Sequence, residues 1–373
     1  MIRTALVLAL LAAPAVAQDQ AQAARNAARA LEEASVQLDA AESARDQVRA
    51  LTQTVQAYEE GLAALRDGLR EAAIRETELS RRLAAQEGEI SQLLGVLSAL
   101  GTASGPQALL HPDGPVGSAR AGMMLASVTP GLAQEAQQLR ADLTEVADLR
   151  ALQENAAATL RDGLAGVQTA RTELSQAVAD RTALPKRFTE DPVRTAILIA
   201  ATETLEGFAS GLSEIATNET PADLPPVAAR RGSLPLPVRG EILRRAGEAD
   251  AAGVSRPGIV VATRSRALVT TPAAATVRYS GPLLDYGLVT ILEPQPDLLL
   301  VLAGLDTTYA QTGEILPEGA PVGLMGGDEP GTGEDPSPSR EASGAGRTET
   351  LYIEVREGDA PVDPLEWFAS DKG

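Results

Sequence analysis

Few side chains in this sequence are suited to chemistry. Its 373 residues include one histidine, His111, and no cysteine. That count excludes thiolate zinc sites, cysteine nucleophiles, disulfides and any centre built from several histidines. Carboxylates are what remains. Glu354 with Asp306 or Asp285 is the pair open to acid and base work, as in glycosidases, although sequence alone does not fix the separation such chemistry needs. Gly326 to Gly346 is dominated by Gly, Pro, Ser, Asp and Glu. It reads as a flexible insertion, disordered over 327–348, and not as a phosphate loop. No cofactor is implied.

Asp and Glu total 51 against 32 Lys and Arg, a formal net charge of -19. Such a chain repels phosphate backbones and anionic lipid, so neither nucleic acid nor direct membrane insertion is expected. Hydrophobic residues make up 44% of the chain but aromatics only 2%, so its apolar character comes from Ala, Leu and Val, a composition suited to long helices. Met1 to Ala17 has Arg3, an apolar run too short to span a bilayer, and a small-residue Ala15-Val16-Ala17 end. This reads as a cleaved signal peptide over 1–17, which places the mature chain in a bacterial periplasm.

The elements that must carry any site follow from the pattern. From about Ala21 to Leu100 there is no proline, and Val48, Leu51, Val55, Tyr58, Leu62, Leu65, Leu69, Ala72, Leu79 and Leu83 alternate at spacings of three and four. A second seam follows Pro130, through Leu132, Ala136, Leu139, Leu143 and Val146 to Leu149, with a register shift before Leu149. These two helices predict a coiled-coil hairpin over 18–185, pairing within one chain or between two. Its tip lies at 101–131, where Gly-Pro and Pro-Asp-Gly-Pro turns reverse the chain. Leu109, Leu110, Met123 and Met124 at that tip either pack a small cap or meet a partner, and methionine adapts to partner surfaces. His111 reads as a surface residue of the same turn.

Over 186–231 the sequence predicts one amphipathic helix, about Asp191 to Ala216, then a Pro-rich link. Val193, Ile197, Leu205, Phe208 and Leu212 form its apolar stripe, which needs a partner surface. From 232 to 373 short β-rich runs separated by Gly, Pro and Asp predict a small β domain, a sandwich or partly closed barrel. The fold class expected is therefore α+β and multidomain.

The β segment resembles the LytM-type zinc metallopeptidase domain in the form found in the murein hydrolase activator (EnvC-like) family. The match is carried by Leu236-Pro237-Val238-Arg239-Gly240, Arg256-Pro257-Gly258-Ile259-Val260, Val269 to Gly281, Asp285 to Val289, Leu302-Ala303-Gly304-Leu305 and Leu351 to Arg356. Active members of that peptidase family hold zinc through His-x-x-x-Asp and His-x-His elements. Here the corresponding positions hold Arg256, Val260, Thr350 and Tyr352, with Gly304 where a further His sits, so the resemblance implies a degenerate, non-enzymatic domain. It further implies that the metal-free groove, at Val260, Tyr286, Leu302, Gly304, Tyr352 and Arg356, binds a periplasmic N-acetylmuramoyl-L-alanine amidase and relieves its autoinhibition. Leu302 departs from an expected aromatic and Pro257 from an expected basic residue. By the same resemblance the hairpin tip contacts the FtsX subunit of the division transporter FtsEX, and the 191–216 helix occupies the groove at rest. From the residues alone, that helix packs equally well against the coil base, and Tyr286 and Tyr352 are equally strand-packing aromatics. A peptidoglycan endopeptidase with a non-standard carboxylate site and a passive envelope scaffold are the alternatives.

Overall fold

Ser43 starts the first long helix. Its Oγ accepts from the backbone N–H of Asp46 at 3.2 Å and donates to the Asp46 carboxylate at 2.6 Å, a side-chain cap for donors that a helix leaves unpaired. The computed structural model describes residues 36–86, 114–180, 184–188, 192–202, 204–215, 224–250, 253–327 and 349–369, with isolated residues at 26, 29–30, 32–34, 88, 91 and 95. Helix α1 is Ala44–Ala85 and α2 is Gly114–Asp180. The single helix expected from Ala21 onward is interrupted at 40–43, because Ser43 competes for backbone donors. The expected turn over 101–131 differs as well. Helix α2 is already established at Gly114 and runs through Pro130, a proline whose missing N–H costs a long helix one bond. Leu109, Leu110, His111, the leader at 1–17 and the insertion from residue 328 to 348 lie outside the described residues.

The chain divides into two units. One is Arg66–Thr159 and the other holds residues up to Leu65 together with those from Leu160 onward. Within the Arg66–Thr159 unit the helices exchange charge pairs, Arg75 to Glu145 at 2.8 Å and Arg150 to Glu76 at 2.9 Å. Leu69, Ala72, Leu79 and Val146 are buried, but Leu143 is 53% exposed. Asp142 is buried in its place, with its carboxylate accepting from Gln138. The seam expected at Leu143 is therefore shifted by one residue. Met123 is 75% exposed. No helix among the described residues is long and apolar enough to cross a membrane.

In the other unit the helical base is bonded to a β domain. Glu59 Oε1 accepts from Arg171 of α2 at 2.7 Å and from the backbone N–H of Leu268 at 3.0 Å. Ser175 and Tyr309 share a hydroxyl–hydroxyl bond of 2.7 Å, and Glu60 pairs with Arg239 at 2.9 Å. Ten strands form one antiparallel sheet: β1 (Gly240–Arg244), β2 (Ile259–Thr263), β3 (Leu268–Thr270), β4 (Ala275–Pro282), β5 (Leu288–Gln295), β6 (Leu298–Thr308), β7 (Ile315–Leu316), β8 (Pro321–Met325), β9 (Glu349–Glu357) and β10 (Ala360–Val362). The main order is β1-β2-β9-β6-β5-β4-β7, with β10 on β9 and β8 joining β3 to β6. One face packs Ile259, Leu302, Ile353, Trp367 and Phe368 into the larger core.

That core reaches back beyond residue 232. Leu184 and Val227 belong to it, and Arg187 donates its backbone N–H to Gly313. The Arg187 guanidinium meets Glu293 at 2.6 Å, and Glu293 also holds the buried Arg278 at 2.8 Å. One buried carboxylate thus balances two cations. Glu293→Gln is expected to lower unfolding stability by about 3 kcal/mol, because it removes a buried charge that both guanidiniums contact. Arg187→Gln costs less, since the Arg278 pair survives. Urea unfolding followed by the fluorescence of Trp367, the sole tryptophan and 4% exposed, measures both.

Candidate functional site: a covered apolar face of the sheet

Strand register assembles the site. Tyr352 on β9 lies opposite Val260 on β2 and Ala303 on β6, and Ala303 lies opposite Val289 on β5. The next row runs from Glu354 through Val301 and Ile291 to Tyr279. Side chains of a strand alternate between faces, so these two rows share the face away from the larger core. Tyr286, in a one-turn 3-10 helix at Leu284–Tyr286, brings its ring centroid to 6.4 Å from that of Tyr352. The Arg256 guanidinium stands 5.4 Å from the Tyr286 ring centroid.

A polar spine runs beneath Tyr352. Its hydroxyl donates to Glu354 Oε2 at 2.7 Å and accepts from the backbone N–H of Gly258 at 3.0 Å. Glu354 Oε1 accepts from Arg356 at 2.8 Å, and Arg356 also donates to the Asp359 carbonyl. Gly258 is required for this approach, since a Cβ there would lie 2.6 Å from the Tyr352 ring and 2.4 Å from the Ile353 carbonyl oxygen. Burial, reinforced by the Glu354 carboxylate, pushes the Tyr352 phenol well above the usual tyrosine range. This phenol is held neutral and is no candidate base or nucleophile.

The chain lays its own helix on this face. Two helices follow the base, α3 (Pro192–Ala201) and α4 (Leu205–Ile215). Leu205, Phe208, Ala209 and Leu212, at relative positions 0, 3, 4 and 7 of α4, are buried in one cluster with Tyr279, Val301, Ala303 and Tyr352. Val260 and Tyr286 pack against the same cluster, partly buried. Phe208 meets Tyr279 edge to face with centroids 4.8 Å apart.

Several expected positions are corrected. The single helix of 191–216 is two, because Thr202 Oγ1 bonds back to the Leu198 carbonyl at 2.7 Å and Thr204 Oγ1 caps α4 by accepting from Gly207 N at 3.1 Å. The break rotates α3, leaving Val193 66% and Ile197 62% exposed, while Leu205, Phe208 and Leu212 are buried. Leu302 is fully buried in the larger core on the opposite face. With a side-chain period of two, its neighbours Val301 and Ala303 line the groove instead. Arg356 is 0% exposed and buttresses Glu354, so it offers no contact surface. Gly304 has φ +95, and a Cβ there would sit 2.8 Å from the Thr350 carbonyl oxygen, so no histidine fits at this position without backbone movement.

The positions of the absent zinc ligands do not fit a metal. Val260 and Tyr352 share the apolar row, Arg256 and Thr350 are exposed, and none supplies an imidazole or carboxylate. Among the described residues no group of three His, Cys, Asp or Glu side chains is placed to hold an ion. The carboxylate pair is not assembled either. Glu354 is committed to Tyr352 and Arg356, whereas Asp306 is exposed and paired with Arg266 at 2.7 Å. The side chain of Asp285 lies outside the description. Sequence reasoning missed Tyr279, Val301 and Ala303, although the period-two pattern of β4 and β6 marks them, and it missed the Thr204 cap.

Replacing Tyr352 by Phe strands the Gly258 N–H and one Glu354 oxygen, at an expected cost of about 1–3 kcal/mol. A phenol whose folded pKa is raised contributes stability that is complete below the unfolded value, near pH 10, and lost as pH rises through the folded value. In an alkaline absorbance titration, the folded chain and its Tyr352→Phe variant should therefore show the same phenolate signal near pH 10. They should diverge only at higher pH, where the parent gains one more phenolate. An early loss of one tyrosine equivalent in the variant would contradict a buried, neutral Tyr352.

No protein-family model matches the chain, and no curated protein matches it. Solved structures do match part of it. Helicobacter pylori Csd3, in an orthorhombic crystal, is 20% identical over 38% of this chain and 36% of its own, with TM-score 0.28. A Pseudomonas aeruginosa peptidase M23 structure is 18% identical over 43% of this chain and 59% of its own, with TM-score 0.29. The catalytic domain of lysostaphin from Staphylococcus simulans is 13% identical over 35% of this chain and 93% of its own, with TM-score 0.28. The chain thus spans about a third of the length of Csd3 and under two thirds of the M23 structure.

Proposed function

We propose that this chain is a non-enzymatic, periplasmic regulator of cell-wall cleavage, an activator of N-acetylmuramoyl-L-alanine amidases during division. The observation that carries the reading is the apolar sheet face at the degenerate zinc positions, covered by the chain's own amphipathic helix. An apolar surface that is already helix-covered is suited to exchange one helix for another. In this reading α4 holds the groove at rest. The two long helices form a coiled-coil hairpin, and Leu109, Leu110, Met123 and Met124 at its tip meet the FtsX subunit of the FtsEX transporter. Activation is then a population shift, driven by whatever binds the uncovered state better than the covered one.

The test is release of dye from labelled peptidoglycan by a purified periplasmic amidase, with the parent chain or with a Phe208→Ala/Leu212→Ala variant. Truncating buried Phe and Leu removes several kcal/mol of packing, about 2–5 for each side chain. That loss favours the uncovered state, so the variant should stimulate the amidase about tenfold or more beyond the parent, a factor worth about 1.4 kcal/mol. Adding Val260→Asp to the variant should abolish the gain. Dye release by the chain without amidase would replace this reading with that of an enzyme.

A further inference from the structure

The outer face of α3 is apolar and stands in water. Helical periodicity puts Val193, Ala196, Ile197 and Ala200 on one side of Pro192–Ala201. All four are exposed, Val193 at 66% and Ile197 at 62%. The opposite side of the same helix is used within the domain. Leu198 and Ile199 pack against the cluster that holds α4, and Thr195 is buried. The crossing with α4 is close, since a Cβ on Gly211 would lie 2.5 Å from the Leu198 Cδ1. Helix α3 thus lies against the cover with one apolar face turned inward and one turned outward.

A helix that is apolar on every side is ordinarily buried on every side. Arg194 is the single charged residue among these ten, in a chain of which 22% is charged. A second copy of α3 is a poor occupant for the outer face. Ten residues of helix span about 15 Å, too little for the roughly 800 Å² per partner that a stable dimer buries, and two chains of net charge -19 repel each other. So small a face is useful only as an extension of a neighbouring one. That neighbour is the sheet face under α4, with which α3 is continuous through Leu198 and Ile199.

We infer that the Val193 and Ile197 face of α3 is where the partner that displaces α4 first lands, through an apolar helical surface of its own. This rests on the reading of the sheet face as the amidase groove and adds the route into it. While α4 is seated, the rows around Tyr352 and Ala303 are covered and offer a partner nothing to bind, whereas Val193 and Ile197 are accessible throughout. A partner held on α3 is at high local concentration beside the cover, so each opening of α4 meets an occupant already in place. The outer face of α3 also supplies a contact that the seated α4 does not use.

The test follows association of the full chain with the purified periplasmic amidase of the dye-release assay, labelled for stopped-flow fluorescence. Val193→Ser/Ile197→Ser in the parent chain should slow association about tenfold or more, whereas the same pair added to Phe208→Ala/Leu212→Ala, whose groove is already open, should change it by less than about twofold. Val193→Leu/Ile197→Leu should keep the parent's rate, because the face stays apolar. Urea unfolding of the serine variant should match the parent, since both positions are exposed. Equal association of the parent and its serine variant overturns the landing surface while leaving the groove intact. Equal slowing in both backgrounds makes α3 an ordinary part of the final interface and overturns the order of events. A dimer of the parent in sedimentation that the serine pair dissolves gives the face to a second copy and overturns the inference. Failure of the loosened chain to bind the amidase overturns the groove itself.

Discussion

An apolar sheet face cannot stay in contact with water without cost, and the arrangement of 192–215 follows from that constraint. Val260, Tyr352, Ala303 and Val289 form one row across four strands, with Val301, Ile291 and Tyr279 beside them. Burying such a surface is worth roughly 25 cal/mol per Å², so the chain must either cover it or present it to another molecule. The cover it uses is only 11 residues of α4, well short of the length at which an isolated helix holds its shape in water. The helix and the face therefore stabilise each other. A helix that depends on its docking surface is also one that a competitor can remove.

The row keeps its shape because of what lies beneath it. Tyr352 is fixed by Gly258 and Glu354, and Glu354 is fixed by Arg356. A buried carboxylate shared between a phenol and a guanidinium is satisfied at both oxygens, which makes the spine rigid and chemically quiet. The residues expected to act as a groove surface thus split into two roles. Val260, Tyr286 and Tyr352 contribute to the face, and Arg356 supports it from within the protein.

Much of this could be read from sequence, and what could not has definite causes. The β-rich composition of the runs 258–263 and 350–356, bounded by Gly, Pro and Asp, marks the strands, and the 3–4 spacing of Leu205, Phe208 and Leu212 marks the cover. The resemblance places Leu302 on the groove face and the structure on the opposite one, because a resemblance aligns positions without enforcing the period-two alternation that decides which side each residue occupies. Periodicity carries Val193 and Ile197 into the stripe because Thr202 and Thr204 are tolerable inside a helix, whereas their hydroxyl bonds with Leu198 O and Gly207 N make them a break. Leu143 lost the seam to Asp142, a residue that periodicity scores as polar and that Gln138 accommodates. Arg187 and Leu184 belong to the β core through contacts far apart in sequence, which local patterns do not register.

The cover is pinned near both ends by the domain it covers. Before α3, Arg187 is held by Glu293 and by the Gly313 carbonyl, and Phe188 is buried beneath the Arg278 guanidinium, 5.2 Å from its ring centroid. After α4, Val227 is 2% exposed in the larger core. Loop-closure cost grows only with the logarithm of length, so a segment tethered at two such points remains close to the face even when displaced, and reclosing competes with any partner. A partner must therefore offer contacts that α4 lacks, because matching its apolar residues alone would leave the tethered helix the winner by proximity.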